Sequence, residues 1–137
     1  MAAVKELIRG QQDGSVSFGD HTLAEKAKLD NFVNSGDVYK VKTYSALTKL
    51  EKNGMFLYES VPGTSIENFS EQENGVSFNV SGNEDAQITL GMKDDTEYEV
   101  FVGGSSVGKM STGLGGKLSV SVELAGMGEV AIKVVEA

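Results

Sequence analysis

The stretch from Gly103 to Lys109 comes nearest to a motif with a known chemistry. It reads G-G-S-S-V-G-K and satisfies G-x-x-x-x-G-K, the pattern of loops whose backbone N–H groups cradle nucleotide phosphates. Met110 follows where a serine or threonine should reach Mg²⁺, and residues 111–116, S-T-G-L-G-G, cannot begin the helix whose N-terminus holds the phosphate. We therefore predict a hairpin turn at Gly103-Gly104 and no nucleotide site.

His21 is the single histidine of the chain. It cannot form a two-histidine metal site, and any Ser-His-Asp triad would have to use it. No nucleophile elbow of the G-x-S-x-G kind accompanies it. We interpret His21 as a loop residue in front of a helix.

Two acidic pairs, Glu84-Asp85 and Asp94-Asp95, could supply oxygen ligands to calcium. Neither pair has the D-x-D-x-D-G spacing that makes such a signal specific, so we interpret both as solvated loop charge. The chain has no cysteine, which excludes disulfides and thiolate metal sites. The sequence thus predicts no cofactor, no metal and no enzymatic activity.

The charge balance limits the partners. The net charge is −8, Arg9 is the single arginine, and the only basic clusters are Lys26/Lys28 and Lys40/Lys42. Since affinity for nucleic acid depends on lysine and arginine neutralising phosphates, nucleic acid and anionic membranes are poor partners. No apolar leader and no membrane-spanning run is visible, so we expect a soluble protein that is cytoplasmic or associated with a particle.

The N-terminal third predicts a hairpin and a short helix. Asp13-Gly14 is a hairpin-type turn signal between Val4–Arg9 and Ser15–Phe18. Thr22-Leu23-Ala24-Glu25 is a capping-box pattern, and Leu23, Ala27 and Phe32 with Val33 could share one helical face. We predict one short helix near residues 23–33, with an extended excursion as the alternative.

From Val38 onward, apolar and polar residues alternate with the period of a β-strand. Asn53-Gly54 is a hairpin signal, and Pro62-Gly63 is the predicted internal boundary. The predicted strands are Val38–Tyr44, Ala46–Lys52, Met55–Val61, Thr64–Phe69, Val76–Val80, Ala86–Met92, Glu97–Val102, Lys117–Leu124 and Glu129–Val135. The predicted fold is mainly β: an antiparallel β-sandwich over residues 62–137, preceded over residues 1–61 by a β-rich arm containing a hairpin, the short helix and a β meander.

One predicted strand is apolar on both faces, since Phe56 and Tyr58 alternate with Met55 and Leu57. Phe101 similarly lies opposite the apolar face of its own strand. Such residues need burial by a second layer or by another subunit. We therefore predict that Met55, Phe56, Leu57, Tyr58 and Phe101 form a core or an interface between copies.

Two segments resemble known proteins. N-G-M-F-L-Y-E-S-V-P-G-T at 53–64 and G-D-V-Y-K-V-K-T at 36–43 are similar to short bacterial proteins labelled endosialidase-like. That resemblance implies a phage-tail-like accessory or folding module; a sialidase would need several arginines, and only Arg9 is present. Residues 95–104 and 116–122 resemble immunoglobulin-like and fibronectin-like modules, which implies a sandwich fold only.

The sequence as a whole predicts a non-enzymatic structural or assembly module that self-associates into a homo-oligomer. The alternative is a carbohydrate- or peptide-binding β-sandwich, with the loops around Asp94-Asp95 and Gly113–Gly116 at one rim. A hydrolase that uses His21 or a carboxylate pair ranks last.

Overall fold

The computed structural model describes residues 3–137, whose regular structure consists entirely of β-strands. No helix within that range is long and apolar enough to cross a bilayer. The strands are β1 (Ile8–Gly10), β2 (Val16–Phe18), β3 (Ala27–Asn34), β4 (Asp37–Tyr44), β5 (Leu47–Lys52), β6 (Met55–Val61), β7 (Ser65–Gln72), β8 (Gly75–Ser81), β9 (Ala86–Gly91), β10 (Glu97–Val102), β11 (Ser105–Ser111), β12 (Lys117–Val122) and β13 (Val130–Glu136).

The strands form two antiparallel sheets that face each other as a sandwich. The seven-stranded sheet has the order β1-β2-β7-β8-β13-β10-β11, and the six-stranded sheet has the order β12-β9-β6-β5-β4-β3. Each sheet takes strands from both sides of Pro62, so the described residues before Pro62 and those after it contribute to the same two layers. The predicted mainly β, sandwich-like fold is therefore confirmed.

The core lies between the layers and contains a group of four aromatic rings. The Tyr58 ring, from the six-stranded sheet, has its centroid 5.3 Å from that of Phe18 and 5.7 Å from that of Phe78, both in the seven-stranded sheet. Phe69 packs against all three. These edge-on and stacked contacts join the two sheets at the centre of the sandwich.

The period-two patterns place the side chains as expected. In β12, Leu118, Val120 and Val122 are buried, whereas Ser119 and Ser121 are exposed. The hairpin predicted at Asn53-Gly54 is confirmed, because Lys52 pairs with Met55 and both turn residues have positive φ.

The short helix predicted near residues 23–33 is wrong: Ala27–Asn34 is strand β3. Thr22 does not cap a helix, because both its backbone N–H and its hydroxyl donate to the Asp20 carboxylate. A β-bulge at Asn31, which has a φ of 60°, separates the pairs Leu29–Val41 and Phe32–Tyr39. The bulge puts residues three apart on one face of β3, a spacing that imitates a helix.

Candidate functional site

The predicted interface residues Met55–Tyr58 separate into buried and exposed members. A β-bulge at Leu57, between the pairs Leu50–Tyr58 and Glu51–Phe56, lets two consecutive side chains enter the core. Leu57 is 8% exposed and Tyr58 is 0% exposed, so neither can form a surface contact. Met55 is 71% exposed, and the Phe56 ring lies under the Lys117 ammonium, 4.9 Å from its centroid.

Phe101 lies on the outer face of the seven-stranded sheet. It pairs with Lys133 of β13 and Ser106 of β11, and it borders a shallow depression of about 320 Å³ together with Ala131 and Gly104. Phe101 and Met55 belong to different sheets, so the five predicted residues do not form one patch.

The surface best suited to association is the free edge of β12, which the sequence did not single out. Gly116, just before β12, accepts a hydrogen bond from the Met92 N–H at 2.8 Å, so Gly116 and the even-numbered residues of β12 direct their backbone groups toward β9. The backbone N–H and C=O groups of Lys117, Ser119 and Ser121 therefore point to the open side of the sheet.

This edge has few of the features by which proteins protect edge strands. All six residues of β12 pair with β9 without a bulge, and after Lys117 at its first position residues 118–122 carry no charge and no proline. The edge strands β3 and β11 are each interrupted by a bulge, and β1 has only three residues. Of the four edges, β12 is the one open to pairing with another strand.

The edge strand of the seven-stranded sheet, β11, is largely exposed. All its residues except Met110 are exposed, and Val107 is 52% exposed. At the opposite side of the sandwich, Asn34 at the end of β3 donates to the Gly14 carbonyl in the β1–β2 loop.

The phosphate-loop-like stretch is a hairpin turn, as predicted. Val102 pairs with Ser105, and Gly103 and Gly104 have φ values of 61° and 88°. Lys109 then lies within β11, opposite Glu99 of β10. A strand follows the glycines where a phosphate site would need a helix N-terminus.

His21 takes part in a buried hydrogen-bond network. Its Nδ1 lies 2.7 Å from the Ser65 Oγ, which also accepts a hydrogen bond from the His21 backbone N–H. Ser65 is 1% exposed, and the neighbouring Asp20 carboxylate bonds to Thr22. A nucleophile has to reach its substrate, which a serine buried in this way does not favour. We therefore interpret the His21–Ser65 pair as a structural contact that holds the loop containing His21 against the start of β7. Ser65 lies 44 residues from His21 with no motif around it, so no local pattern predicts the contact.

The network continues through threonine hydroxyls across the end of the sandwich. The Asp20 N–H donates to the Thr43 hydroxyl, which donates to the Thr48 hydroxyl at 2.8 Å. Thr48 in turn donates to the Thr64 carbonyl at 2.7 Å and accepts from the Thr64 N–H at 3.0 Å. Thr64 Oγ1 contacts the Tyr58 hydroxyl at 2.8 Å, and all these groups are buried. The network joins the six-stranded sheet to the crossing between β6 and β7.

The burial of His21 predicts a pH-dependent stability. Loss of solvent lowers the pKa of the imidazole, and the Asp20 carboxylate opposes this with a smaller effect. Because the folded-state pKa lies below the unfolded value of 6.5, the unfolded chain binds a proton first as the pH falls. Stability is therefore complete above about pH 6.5 and is lost below it.

We expect the urea concentration at the midpoint of unfolding to decrease when the pH is lowered from 7 to 5. Asparagine does not titrate in this range, so the His21→Asn variant should lose most of this pH dependence. Equal slopes in the two proteins would show that other groups cause it.

The acidic pairs differ in what they do. Asp85 Oδ1 accepts hydrogen bonds from the backbone N–H groups of Leu124 and Ala125, at 2.9 and 3.1 Å, and so connects the β8–β9 and β12–β13 loops. Asp94 and Asp95 are exposed, and Asp95 has a φ of 48°. Within residues 3–137, no group of three or more His, Asp or Glu side chains is arranged to hold a metal ion.

A cavity of about 180 Å³ opens between the two sheets near the bulge in β6. Leu57, Phe69, Met92 and Tyr98 contribute to its walls, and Glu73 lies at its rim. The aromatic rings there are buried, since Phe69 is 3% and Tyr98 1% exposed, so they form no open platform for stacking a sugar.

Comparison with protein-family models, with curated proteins and with solved structures finds no match to this chain.

Proposed function

We propose that this chain is a non-enzymatic structural module that self-associates by pairing the free edge of β12 with β12 of a second copy. The open edge of β12, regular and without charge over five residues, is the observation that carries the proposal. The pairing is isologous, with two antiparallel β12 strands related by a two-fold axis, and it joins two six-stranded sheets into one.

The sequence of β12 fits one register of this pairing, centred on Val120. In that register Leu118 lies opposite Val122 of the second copy, and Ser119 lies opposite Ser121, so apolar residues meet on the inner face and hydroxyls on the outer face. Lys117 lies opposite Glu123 of the second copy, an attraction that the two-fold axis repeats. The same segment thus complements itself in shape, polarity and charge.

Substitution of Ser121 by proline tests the contact. The Ser121 N–H points away from β9, so proline removes a donor needed by the second copy and leaves the pairing with β9 intact. In about 0.5 M NaCl, which screens contacts between surface charges, we expect the parent protein to sediment at twice its 14.5 kDa chain mass, and Ser121→Pro to sediment as a monomer. Ser121→Ala is the matched control: both variants lose the hydrogen bond to Gln87, but alanine keeps the N–H and should stay dimeric.

The charge pair tests the register. Lys117→Glu and Glu123→Lys each place like charges opposite one another and should weaken the dimer by about 1 kcal/mol, roughly fivefold in the dissociation constant. The double variant restores opposite charges and should recover the parent affinity. A monomeric parent at about 100 μM, or an unchanged dimer in Ser121→Pro, would contradict the proposal.

Peptide binding is the second candidate, since an extended peptide of another protein could add to the same edge. The self-complementary order of Lys117 and Glu123 favours a second copy. If the parent protein is a monomer that captures a peptide, and Ser121→Pro abolishes this capture, the result supports peptide binding at the β12 edge.

A further inference from the structure

The outer face of the six-stranded sheet carries an unfavourable arrangement of charge. Lys28, Lys42 and Lys49 are directly opposite one another on β3, β4 and β5. We call these three residues the lysine row. Neighbouring strands are about 4.8 Å apart, and like charges directly opposite one another destabilise a sheet. Such a row costs folding stability and is therefore a sign of a role outside the single chain.

The row is only partly neutralised by its own chain. Within residues 3–137, Lys28 and Lys42 form no ion pair. Lys49 contacts Glu51 at 3.6 Å at the half-exposed surface and stands opposite Glu59 of β6. Residues 26–52 contain six lysines and three acidic residues, a net charge of +3; the remainder has six basic and seventeen acidic residues, a net charge of −11. The basic strands thus belong to a chain that is otherwise strongly acidic.

One end of the sandwich is acidic. The β8–β9 loop (82–85) and the connection between β12 and β13 (123–129) are joined through Asp85. These two segments contain no lysine or arginine, and their four acidic residues are all exposed. We call three of them, Glu84, Asp85 and Glu129, the acidic end; Glu123 belongs to the β12 pairing proposed above.

We infer that the lysine row is a docking surface for the acidic end of another copy of this chain. The contact is heterologous, because two different surfaces meet, so it links successive copies. It rests on the proposed role as a self-associating module but uses surfaces other than the β12 edge. Together with the two-fold pairing it would turn dimers into an extended assembly.

Arginine is absent from residues 10–137, so lysine alone provides the charge of this face. Lysine acts as a hydrated point charge and lacks the fork that grips phosphate or carboxylate bidentately. A contact made this way is weak and sensitive to salt, as suits reversible assembly of a chain with net charge −8.

A charge-exchange experiment in the Ser121→Pro background tests this contact separately from the dimer. The row-reversed variant carries Lys28→Glu and Lys42→Glu, which break no ion pair, and the end-reversed variant carries Glu84→Lys and Glu129→Lys. Sedimentation at low salt should show that each variant alone self-associates at least about tenfold more weakly than its Ser121→Pro parent. An equimolar mixture should recover the parent affinity, and about 0.5 M NaCl should abolish association in every case.

The control variant carries Lys5→Glu and Lys133→Glu, which change the net charge equally but lie outside the lysine row. It should associate as its parent does.

Lys42→Glu alone should raise the urea midpoint of unfolding, because it places an acid between two lysines. A mixture that stays monomeric, or a row-reversed variant that associates normally, would overturn the inference; binding of a polyanion such as dextran sulfate in place of another copy would overturn it as well.

Discussion

We expect Tyr58→Ala to destabilise the protein by about 4 kcal/mol, the largest effect of any single side-chain truncation discussed for this chain. The Tyr58 side chain is 0% exposed and is in contact with three other aromatic rings that join the sheets. Alanine leaves a cavity between the two layers, lined by three rings of the seven-stranded sheet, and this cavity cannot easily collapse. Urea unfolding at a fixed protein concentration measures the change, since self-association would contribute to stability.

Tyr58→Phe separates the hydroxyl from the ring. Burial raises the pKa of the phenol, which stays neutral and keeps its hydrogen bond to Thr64. Phenylalanine retains the packing but removes the Tyr58 partner of the buried Thr64 hydroxyl, which keeps its contact with Ser60, a cost of about 1–2 kcal/mol. A loss in Tyr58→Phe as large as in Tyr58→Ala would show that the hydroxyl network, rather than ring packing, dominates at this position.

The strands with one solvent-exposed face could be predicted from the sequence, because the alternation of apolar and polar residues follows the alternation of buried and exposed side chains. β12 shows this, since its leucine and valines are buried and its serines exposed. The two β-bulges were not predictable in this way. The bulge at Asn31 changes the spacing of the side chains on one face of β3, where a helix was predicted. The bulge at Leu57 places two consecutive side chains of β6 in the core. A bulge depends on how two strands meet, so it leaves little local trace in either strand.

The candidate site was even less accessible to sequence reasoning. An apolar strand, Met55–Tyr58, suggested an interface, but Leu57 and Tyr58 are buried within the chain itself and only Met55 is largely exposed. β12 reads as an ordinary strand; what distinguishes it is its place at the end of a sheet, which follows from strand order and not from its residues. The lysine row has the same origin, because its members are up to 21 residues apart and meet only through strand register.

We expect Gly63→Ala to destabilise the protein by about 3 kcal/mol. The φ of Gly63 is not positive, so the reason is space: a Cβ there would lie 1.9 Å from the backbone carbonyl oxygen of Tyr44. The Gly63 N–H also donates to the Ser45 carbonyl, so the chain cannot move aside without losing this hydrogen bond. Pro62-Gly63 was predicted from sequence as a boundary, yet here it is packed against the β4–β5 turn.

Gly113→Ala is the matched control for Gly63→Ala. A Cβ at Gly113 has nothing within 4 Å, and its φ is not positive either, so we expect a change within about 0.5 kcal/mol. Because strands from both sides of Gly63 share the two sheets, the loss in Gly63→Ala should appear as a shift of one cooperative transition. Two separate transitions, with only one of them shifted, would mean that the segments before and after Gly63 unfold independently in spite of their shared sheets.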